Sequence, residues 1–331
     1  MPGWTSGAGR TADKDTGCAP GLVHVCDADA GFSRRRAGRG FCYLDNRGKR
    51  VTDTAVIRRI KALAIPPAWT DVWICPDPGG HIQATGRDAR GRKQYRYHAD
   101  WSDYQRDCKF AGLPAFAIAL PRLRKRVDAD LRRRGLPRDR VIATIVRLLD
   151  RTLIRIGNDC YAQENRSFGL TTLKATHLGL QGDSLKFAFI GKSGKAWRLK
   201  LSDRRIASVI RSVQDLPGQR LFRYEDDEGQ LQDVRSQDVN DYIRTAAGPD
   251  FSSRYFRTWG ASVQAGLALF KLEPPKSQAA RRRLLNAVID DVARTLHNTR
   301  AVCRQSYVHP RIVDAWEEGV LNEEMAVIRK R

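Results

Sequence analysis

The alternation of apolar and polar residues along the chain changes character near residue 100. Between residues 21 and 100, short apolar runs such as LVHVC (22–26) and GFCYLD predict strands. DVWIC faces HIQATGRD across PDPGG, which predicts a hairpin, and ATGRDARGRKQYRYHADW predicts a second one with Gly91 in its turn. One short helix, over DTAVIRRIKALAIPP, is expected to end at its two prolines. This part is therefore predicted to be a small, β-rich domain.

Beyond residue 102, apolar residues recur every three or four positions, which is the period of amphipathic helices. Two helices are predicted over FAIALPRLRKRVDADLRRRG and PRDRVIATIVRLLDRTLIRIG, the second ending at Gly157. SLKFAFIGKSGKAWRLKL then alternates as a hairpin does, with Lys192 at its turn. Further helices are predicted at about 203–213, 236–247, 254–270, 277–296 and 311–319. The second part is thus predicted to be larger and mainly helical, with one small antiparallel sheet.

These patterns predict an α+β chain in three parts, with a disordered tail over residues 1–20, a β-rich domain over 21–101 and a mainly helical domain over 102–331. The tail is rich in Gly, Thr and Asp. It lacks the apolar core of a signal peptide.

The charge balance indicates a polyanionic partner. The chain carries 59 Lys and Arg against 37 Asp and Glu, a formal net charge of +22. Nucleic acid is the first candidate for so basic a chain, and an anionic membrane surface is the second. No segment approaches the roughly 18 apolar residues of a spanning helix, so we expect no membrane partner. Charge alone does not distinguish an enzyme from a non-enzymatic DNA-binding protein.

The residue types that hold metals or nucleotides are scattered. The seven cysteines are odd in number and form no Cys-x-x-Cys pair, which favours free thiols in a reducing cytoplasm. The six histidines show no metal-ligand spacing, and no carboxylate cluster resembles a two-metal nuclease site. No phosphate loop of the ATP-hydrolysing type is found. We therefore expect no metal, no cofactor and no use of ATP.

Metal-free transfer of a phosphodiester needs a nucleophile, cations to neutralise the phosphate oxygens and an acid for the leaving oxygen. Tyrosine, arginine and lysine suit these roles. The chain offers such residues in separate motifs: Arg155 in LIRIGNDCYAQEN, Lys192 in FIGKSGK, Arg257 in FRTWGAS, and Asn298 and Tyr307 in LHNTRAVCRQSY. Singly, each has an ordinary explanation, such as an arginine that complements a helix dipole, a solvated lysine, a helix cap or a packed tyrosine.

In this order and spacing, the motifs resemble those of the poxvirus-like and bacterial type IB DNA topoisomerases over residues 20–310. The most specific motifs are RIGNDCYAQENRSFGLTTLK, FIGKSGK, FRTWGAS and AVCRQSY, with IPPAWTDVWICPDPGGHIQATGRDARGRKQYRYH in the N-terminal part. The resemblance implies that the β-rich domain binds DNA, that the helical domain is catalytic, and that the two form a clamp around duplex DNA. It also implies a monomer that acts on the nucleoid in the cytoplasm and relaxes supercoils without ATP.

The resemblance assigns a role to each candidate. Tyr307 matches the nucleophile that forms a 3′-phosphotyrosyl bond, Arg155 and Arg257 match the arginines that bind the scissile phosphate, and Lys192 matches the lysine that protonates the leaving 5′-oxygen. A fifth position, usually histidine, lies nine residues before the tyrosine. Here it falls on Asn298, with His297 one place earlier. We choose Asn298, because an amide can donate a neutral hydrogen bond, and we keep His297 as the alternative.

The resemblance also implies DNA contacts outside the catalytic set. GRKQYRY matches the segment that contacts the major groove, which assigns Gln94 and Tyr97 to base edges and Tyr95 to a phosphate. A glutamine can pair bidentately with adenine. An exposed strand face with ordinary cross-strand pairs is the alternative. NDCYAQEN matches a further DNA-contacting helix, which assigns Asn158 and Tyr161. The Arg-rich segment RRRAGRG is expected to be a solvated basic loop.

Two other classes of protein stay open at this point. A tyrosine site-specific recombinase shares the arginine, lysine and tyrosine chemistry, but it normally carries a helical N-terminal DNA-binding domain. It would also have a different pattern around the second arginine. A non-enzymatic DNA-binding protein explains the charge of +22 but not the ordered set of catalytic residue types.

Overall fold

The computed structural model describes residues 21–214 and 216–323, apart from the side chains of Cys160, Tyr161 and Glu164. The tail expected over residues 1–20 lies outside the described residues. The chain divides into two compact units, Met1–Cys108 and Lys109–Arg331. The division falls within helix α2 (Ala99–Ala111), as does the domain boundary expected after residue 101. The α+β class is confirmed, with a mainly antiparallel sheet in the first unit and most helices in the second.

A five-stranded antiparallel sheet in the order β2-β1-β3-β4-β5 forms the first unit. Its strands are β1 (Phe32–Ala37), β2 (Gly40–Leu44), β3 (Thr70–Ile74), β4 (Ile82–Arg87) and β5 (Lys93–Tyr97). Helix α1 (Thr54–Ala62) begins after Asp53, whose carboxylate caps the amides of Ala55 and Val56. Ile60 of this helix is buried with Ile74 and Ala84 of the sheet. Both hairpins predicted over β3, β4 and β5 are confirmed.

The strand predicted over residues 22–26 is wrong. Only a single bridge forms there, between Val23 and Gly80. Side chains take the neighbouring backbone donors, since Val25 N–H binds His81 Nδ1 at 3.1 Å and Cys26 N–H binds the Asp29 carboxylate at 2.8 Å. With these donors used locally, no ladder of hydrogen bonds continues along the segment.

The basic loop predicted over RRRAGRG is also wrong. Most of this segment is strand β1, which pairs with β2 in register from Ser33 to Ala37. The Arg34 guanidinium stacks 4.2 Å from the Phe41 ring centroid and donates hydrogen bonds to the carbonyls of Ile65 and Trp69. Arginine can therefore occupy a strand here, because its guanidinium covers an aromatic ring and its donors satisfy loop carbonyls.

The second unit is mainly helical and contains two small sheets. Strands β6 (Leu178–Gln181), β7 (Ser184–Ile190) and β8 (Ala196–Ser202) form an antiparallel meander, and β9 (Arg223–Glu225) pairs with β10 (Leu231–Asp233). The helices are α3 (Leu113–Asp130), α4 (Arg138–Thr152), α5 (Asp159–Asn165), α6 (Arg204–Gln214), α7 (Ser236–Ala247), α8 (Arg254–Leu269), α9 (Gln278–Thr295), α10 (Arg300–Ser306) and α11 (Pro310–Glu317). The helices predicted at 203–213, 236–247, 254–270, 277–296 and 311–319 correspond to α6, α7, α8, α9 and α11.

Two clusters of buried side chains hold this unit together. The larger one joins α3, α4, α6 and α7 to the β6–β8 sheet. The smaller one joins α8, α9, α10 and α11, with Trp316 as its largest fully buried side chain. A buried Trp316 indole N–H still finds an acceptor, the Leu272 carbonyl at 2.7 Å. Helix α8 contributes Phe256, near its N-terminus, to the larger cluster, and Ala261, Ala265 and Leu269 to the smaller one.

Helix α4 ends at Thr152, not at Gly157 as predicted. Leu153 adopts the left-handed conformation (φ +56°), and its N–H binds the Leu149 carbonyl at 3.1 Å. The chain then pairs with a 3₁₀ turn at Leu170–Thr172, because the Arg155 carbonyl accepts the Leu170 N–H at 2.9 Å. Arg155 therefore projects from a hydrogen-bonded connection that follows the helix.

Candidate active site

Tyr307 caps the C-terminus of α10 and has its backbone fixed by α8. Its N–H binds the Cys303 carbonyl at 3.0 Å. The hydroxyl of Ser262, on α8, donates to the Tyr307 carbonyl at 3.1 Å and accepts the His309 N–H at 3.0 Å. A single buried serine thus ties the backbone of Tyr307 and of His309 to helix α8.

Arg155 connects Tyr307 with Asn298. Its Nη1 donates to the Tyr307 hydroxyl at 2.9 Å, and its Nη2 donates to Asn298 Oδ1 at 3.2 Å. The backbone around Arg155 is held by a close approach, since a Cβ on Gly169 would lie 2.6 Å from the Arg155 carbonyl oxygen. Only glycine fits that contact. The guanidinium is thus anchored at the base and aimed at the tyrosine.

Arg257 lies in the first turn of α8 and is 4% exposed. Its guanidinium donates to the carbonyls of Leu153 and Leu296, the latter at 2.9 Å. Its Cζ is 5.2 Å from the centroid of the Tyr307 ring. A buried cation this close to the phenol stabilises negative charge on the phenol oxygen.

Lys192 sits in the turn between β7 and β8. Ser193 and Gly194, which follow it, both have positive φ (63° and 73°), as the tight turn requires. Lys192 is an exposed residue, yet its side chain lines the same cavity as Arg155 and Tyr307. The β7–β8 hairpin therefore brings a lysine to the cavity that Arg155 and Tyr307 line.

A cavity of about 410 Å³ is the place where these side chains meet. Its lining includes Arg155, Lys192, Arg257 and Tyr307, together with Lys109. The Lys109 ammonium donates to the Ser306 carbonyl and lies 5.6 Å from the centroid of the Tyr307 ring. Arg254 also lines the cavity, so five cations and one phenol surround it. Such a set can bind a phosphate group and support attack on it.

The surroundings shift the pKa of Tyr307. Burial raises this pKa, but the charge of Arg155, and next that of Arg257, outweigh burial and lower it from 10.0 to about 8. The pKa of Lys192 is lowered, first by loss of water around its ammonium and then by the Arg155 charge. The pKa of Arg257 falls to about 10, chiefly through burial, so that it stays charged at neutral pH. A more acidic phenol and a lysine that gives up its proton more readily are what a tyrosine nucleophile and a general acid need.

The two candidates for the fifth position point in different directions. His297 occupies the left-handed position (φ +50°) of a Schellman motif, in which His297 N–H binds the Arg294 carbonyl at 3.1 Å and Asn298 N–H binds the Ala293 carbonyl at 2.9 Å. The His297 ring stacks on Trp197, with centroids 4.1 Å apart. Asn298 instead accepts from Arg155, and its Nδ2 is buried beside the Cys303 thiol with no hydrogen bond of normal geometry in the described part of the chain.

Sequence reasoning missed Lys109 and Ser262. No spacing along the chain relates Lys109 to Ser306, so the sequence carried no signal for that contact. Ser262 did leave a signal, because it is a polar residue on the apolar side of α8, where it is 5% exposed. A buried hydroxyl inside an apolar helix has to find a partner.

Three of the residues predicted to contact DNA, Gln94, Tyr95 and Tyr97, lie on strand β5 of the first unit. Tyr95 and Tyr97 are 40% and 46% exposed on edge strand β5, with stacked rings 5.9 Å apart. Gln94 points to the opposite face of this strand, and its amide donates to Asp88 at 3.0 Å. Asn158 is exposed just before α5. Tyr161 is on α5, but its side chain lies outside the described residues.

The described residues form neither a metal-binding cluster nor a membrane-spanning helix. Within 21–214 and 216–323, no group of three or more His, Cys, Asp or Glu side chains is arranged to hold a metal ion. Over the same ranges, the helices are too short or too polar to span a bilayer.

Comparison with known proteins gives concordant matches. Residues 93–329 match the family model described as the catalytic core of eukaryotic DNA topoisomerase I, and residues 40–88 match that of the bacterial DNA topoisomerase IB N-terminal domain. The chain is 32% identical to DNA topoisomerase 1B of Acanthamoeba polyphaga mimivirus over 285 residues, which is 84% of this chain and 85% of the viral protein. It is 25% identical to DNA topoisomerase 1 of Mycosarcoma maydis over 173 residues, 47% of this chain and 17% of that protein.

Proposed function

Since the chain belongs to the type IB DNA topoisomerases, isomerases that act on DNA and relax it, we propose that its reaction proceeds through a covalent bond between Tyr307 and DNA. The observation that carries this proposal is the convergence of Arg155, Arg257 and Lys192 on one phenol. Arg155 is hydrogen-bonded to the Tyr307 hydroxyl at 2.9 Å, and the three cations surround one cavity with it.

In the proposed cleavage step, the Tyr307 oxygen attacks a phosphorus of one strand while the phenol proton passes to water. A bond forms from that oxygen to the 3′-phosphate, and the bond from phosphorus to the 5′-oxygen breaks. Lys192 gives its proton to the leaving 5′-oxygen, which departs as a hydroxyl. Arg155 and Arg257 neutralise the charge that grows on the non-bridging oxygens.

Religation is the same step in reverse, with the 5′-hydroxyl as attacker and the phenol as leaving group. The phosphotyrosyl bond conserves the energy of the phosphodiester bond, so ATP is not needed. Between the two steps, the duplex beyond the nick rotates and releases superhelical strain. The DNA outcome is a change in linking number with both strands intact.

Asn298 is proposed for the fifth position. Arg155 already occupies its Oδ1, which leaves the Nδ2 donor for a phosphate oxygen. His297 is less suited, because its left-handed backbone and its stacking on Trp197 direct the ring elsewhere. An amide donor here would add a neutral hydrogen bond to the two cationic ones.

We further propose that the N-terminal residues 21–101 contact the duplex through Gln94, Tyr95 and Tyr97, and that Asn158 and Tyr161 add contacts from residues 102–331. On this proposal the two parts close around DNA as a clamp, and one copy of the chain suffices. The nucleoid of a bacterial cytoplasm would be its place of action. Binding should weaken steeply with salt, because each phosphate contact releases counterions.

The test is relaxation of negatively and positively supercoiled plasmid in EDTA without ATP. We expect the wild-type protein to relax both, and Tyr307→Phe to relax neither while it still binds plasmid. Absence of relaxation by folded wild-type protein would contradict the proposal. Relaxation by Tyr307→Phe would show that Tyr307 is not the nucleophile. Recombinant products would favour a site-specific recombinase.

A further inference from the structure

A second cavity, of about 750 Å³, lies away from the candidate active site on α9, α10 and α11. Its lining includes Arg281, Arg282, Arg283 and Arg304, along with Asn286. It shares no lining residue with the cavity around Tyr307. It is thus a separate concave surface in the same compact unit.

Arg281 builds the wall of this cavity. Its Nε donates to the Pro275 carbonyl at 2.5 Å, and its Nη1 donates to the Glu317 carbonyl at 3.1 Å. These bonds join the segment before α9 to the end of α11. Arg281 is therefore engaged by backbone carbonyls at the cavity, unlike, within the described residues, the other arginines that line it.

The remaining arginines of the cavity differ from their neighbours. Arg282, Arg283 and Arg304 are exposed, and within residues 21–214 and 216–323 none has a carboxylate oxygen within 4 Å. Arginines outside the cavity on the same three helices are paired: Arg294 with Asp291 at 3.0 Å, Arg300 with Asp290 at 2.5 Å and Arg311 with Glu318 at 3.0 Å. The uncompensated charge is thus confined to the concave surface.

Three like charges that face one cavity repel one another and attract an anion, and a concave wall concentrates their field. Guanidinium groups bind phosphate bidentately, and an amide such as that of Asn286 can add a further donor. The single carboxylate in the lining, Glu317, is outnumbered four to one by arginine. We propose that this cavity binds a phosphate group, supplied either by a nucleic acid backbone or by free phosphate.

The binding arm of the test uses pyrophosphate and isothermal titration calorimetry. The triple variant Arg282→Gln, Arg283→Gln, Arg304→Gln removes the cavity charge. A matched control, Arg294→Gln, Arg300→Gln, Arg311→Gln, removes the same charge from the same helices outside the cavity. We expect the cavity variant to weaken a pyrophosphate site by about tenfold or more, and the control to change it by less than about threefold.

The source arm uses a labelled duplex and the slope of log Kobs against log salt concentration. If DNA phosphates fill the cavity, the slope of the cavity variant should be less steep by about 2.7, since each lost contact contributes about 0.9. A pyrophosphate effect with an unchanged slope assigns the cavity to free phosphate. A variant with all three residues changed to lysine keeps the charge, and it should keep most of the binding if the proposal is right.

The proposal is overturned if both glutamine variants weaken pyrophosphate equally, because net charge alone would then explain the effect. It is also overturned if neither pyrophosphate binding nor the salt slope responds to the cavity variant. All these measurements are of equilibrium binding, so they stand whether or not the relaxation assay supports the proposed reaction.

Discussion

Arg155 donates a 2.9 Å hydrogen bond to the hydroxyl of Tyr307, although 152 residues separate the two along the chain. Arg155→Ala removes this bond and the one to Asn298, and we expect strand cleavage to slow by about 10²–10³-fold, as the loss of one preorganised donor typically does. Arg155→Lys should recover only part of the rate, because an ammonium cannot make both bonds in the fork geometry.

Single-turnover cleavage of a duplex by each variant measures this effect. Arg151→Ala is the matched control, since Arg151 is an exposed arginine in the last turn of α4. It should cleave within about twofold of wild type, in line with ordinary surface substitutions. Equal slowing of Arg151→Ala and Arg155→Ala would contradict a specific role for the hydrogen bond.

Ionisation of Tyr307 is expected near pH 8. The Arg155 and Arg257 charges lower its pKa to about 8 against the raising effect of burial, from 10.0 for an ordinary tyrosine. The tyrosinate absorbance of wild type minus that of Tyr307→Phe should therefore rise between about pH 7 and 9. Arg155→Gln should move this rise to higher pH. A difference spectrum that changes only near pH 10 would show that the arginines do not act on the phenol.

The same shift has a consequence for stability. The folded pKa lies below the unfolded value, so ionised Tyr307 stabilises the fold. This contribution is complete above about pH 10 and is lost as the pH falls through about 8. The free energy of unfolding of wild type relative to Tyr307→Phe should therefore increase from pH 7 to pH 10.

Asn298 and His297 can be separated by their effects on cleavage. We expect Asn298→Ala to slow single-turnover cleavage by about 10²-fold, since a donor to the phosphate is lost. His297→Ala should cleave within about threefold of wild type but unfold at lower denaturant, because it loses the 4.1 Å stack on Trp197. A cleavage defect confined to the histidine variant would reverse our choice.

Local patterns predicted most of the helices, because their apolar periodicity reflects which face is buried. Ile145, Leu148 and Leu149 of α4 are buried as their spacing predicts. The same periodicity predicted that α4 ends at Gly157, whereas the helix ends at Thr152. Leu153 stops the helix through a left-handed turn, and the apolar residues that follow, such as Ile154, are buried without being helical.

The types of the candidate site residues could be proposed from motifs, but their contacts could not. Ser262 pins Tyr307, and Lys109 contacts Ser306, through pairings that span 45 and 197 residues. Such contacts depend on tertiary packing, which produces no periodic pattern in the sequence. The direction of His297 likewise depends on one backbone angle, the left-handed φ of +50°, which the sequence does not encode visibly.

Substitution of Gly260 by alanine tests whether the left-handed turn at the end of α4 holds Arg155 in place. A Cβ on Gly260 would lie 2.6 Å from Leu153 Cδ2, so alanine there must push Leu153, whose carbonyl accepts from Arg257. We expect Gly260→Ala to lower the free energy of unfolding by about 1–3 kcal/mol, the usual cost of overpacking. Strand cleavage should also slow, because the displaced segment carries Arg155.

Gly266 provides the matched control on the same helix. Its nearest neighbour to a new Cβ is Ile312 at 3.7 Å, an ordinary contact, so Gly266→Ala should be neutral or stabilise by up to about 1 kcal/mol through helix propensity. Urea unfolding and single-turnover cleavage of both variants measure the two effects. If Gly260→Ala unfolds and cleaves as Gly266→Ala does, Leu153 does not need the space that glycine leaves. In that case the left-handed turn would not be what positions Arg155 beside Tyr307.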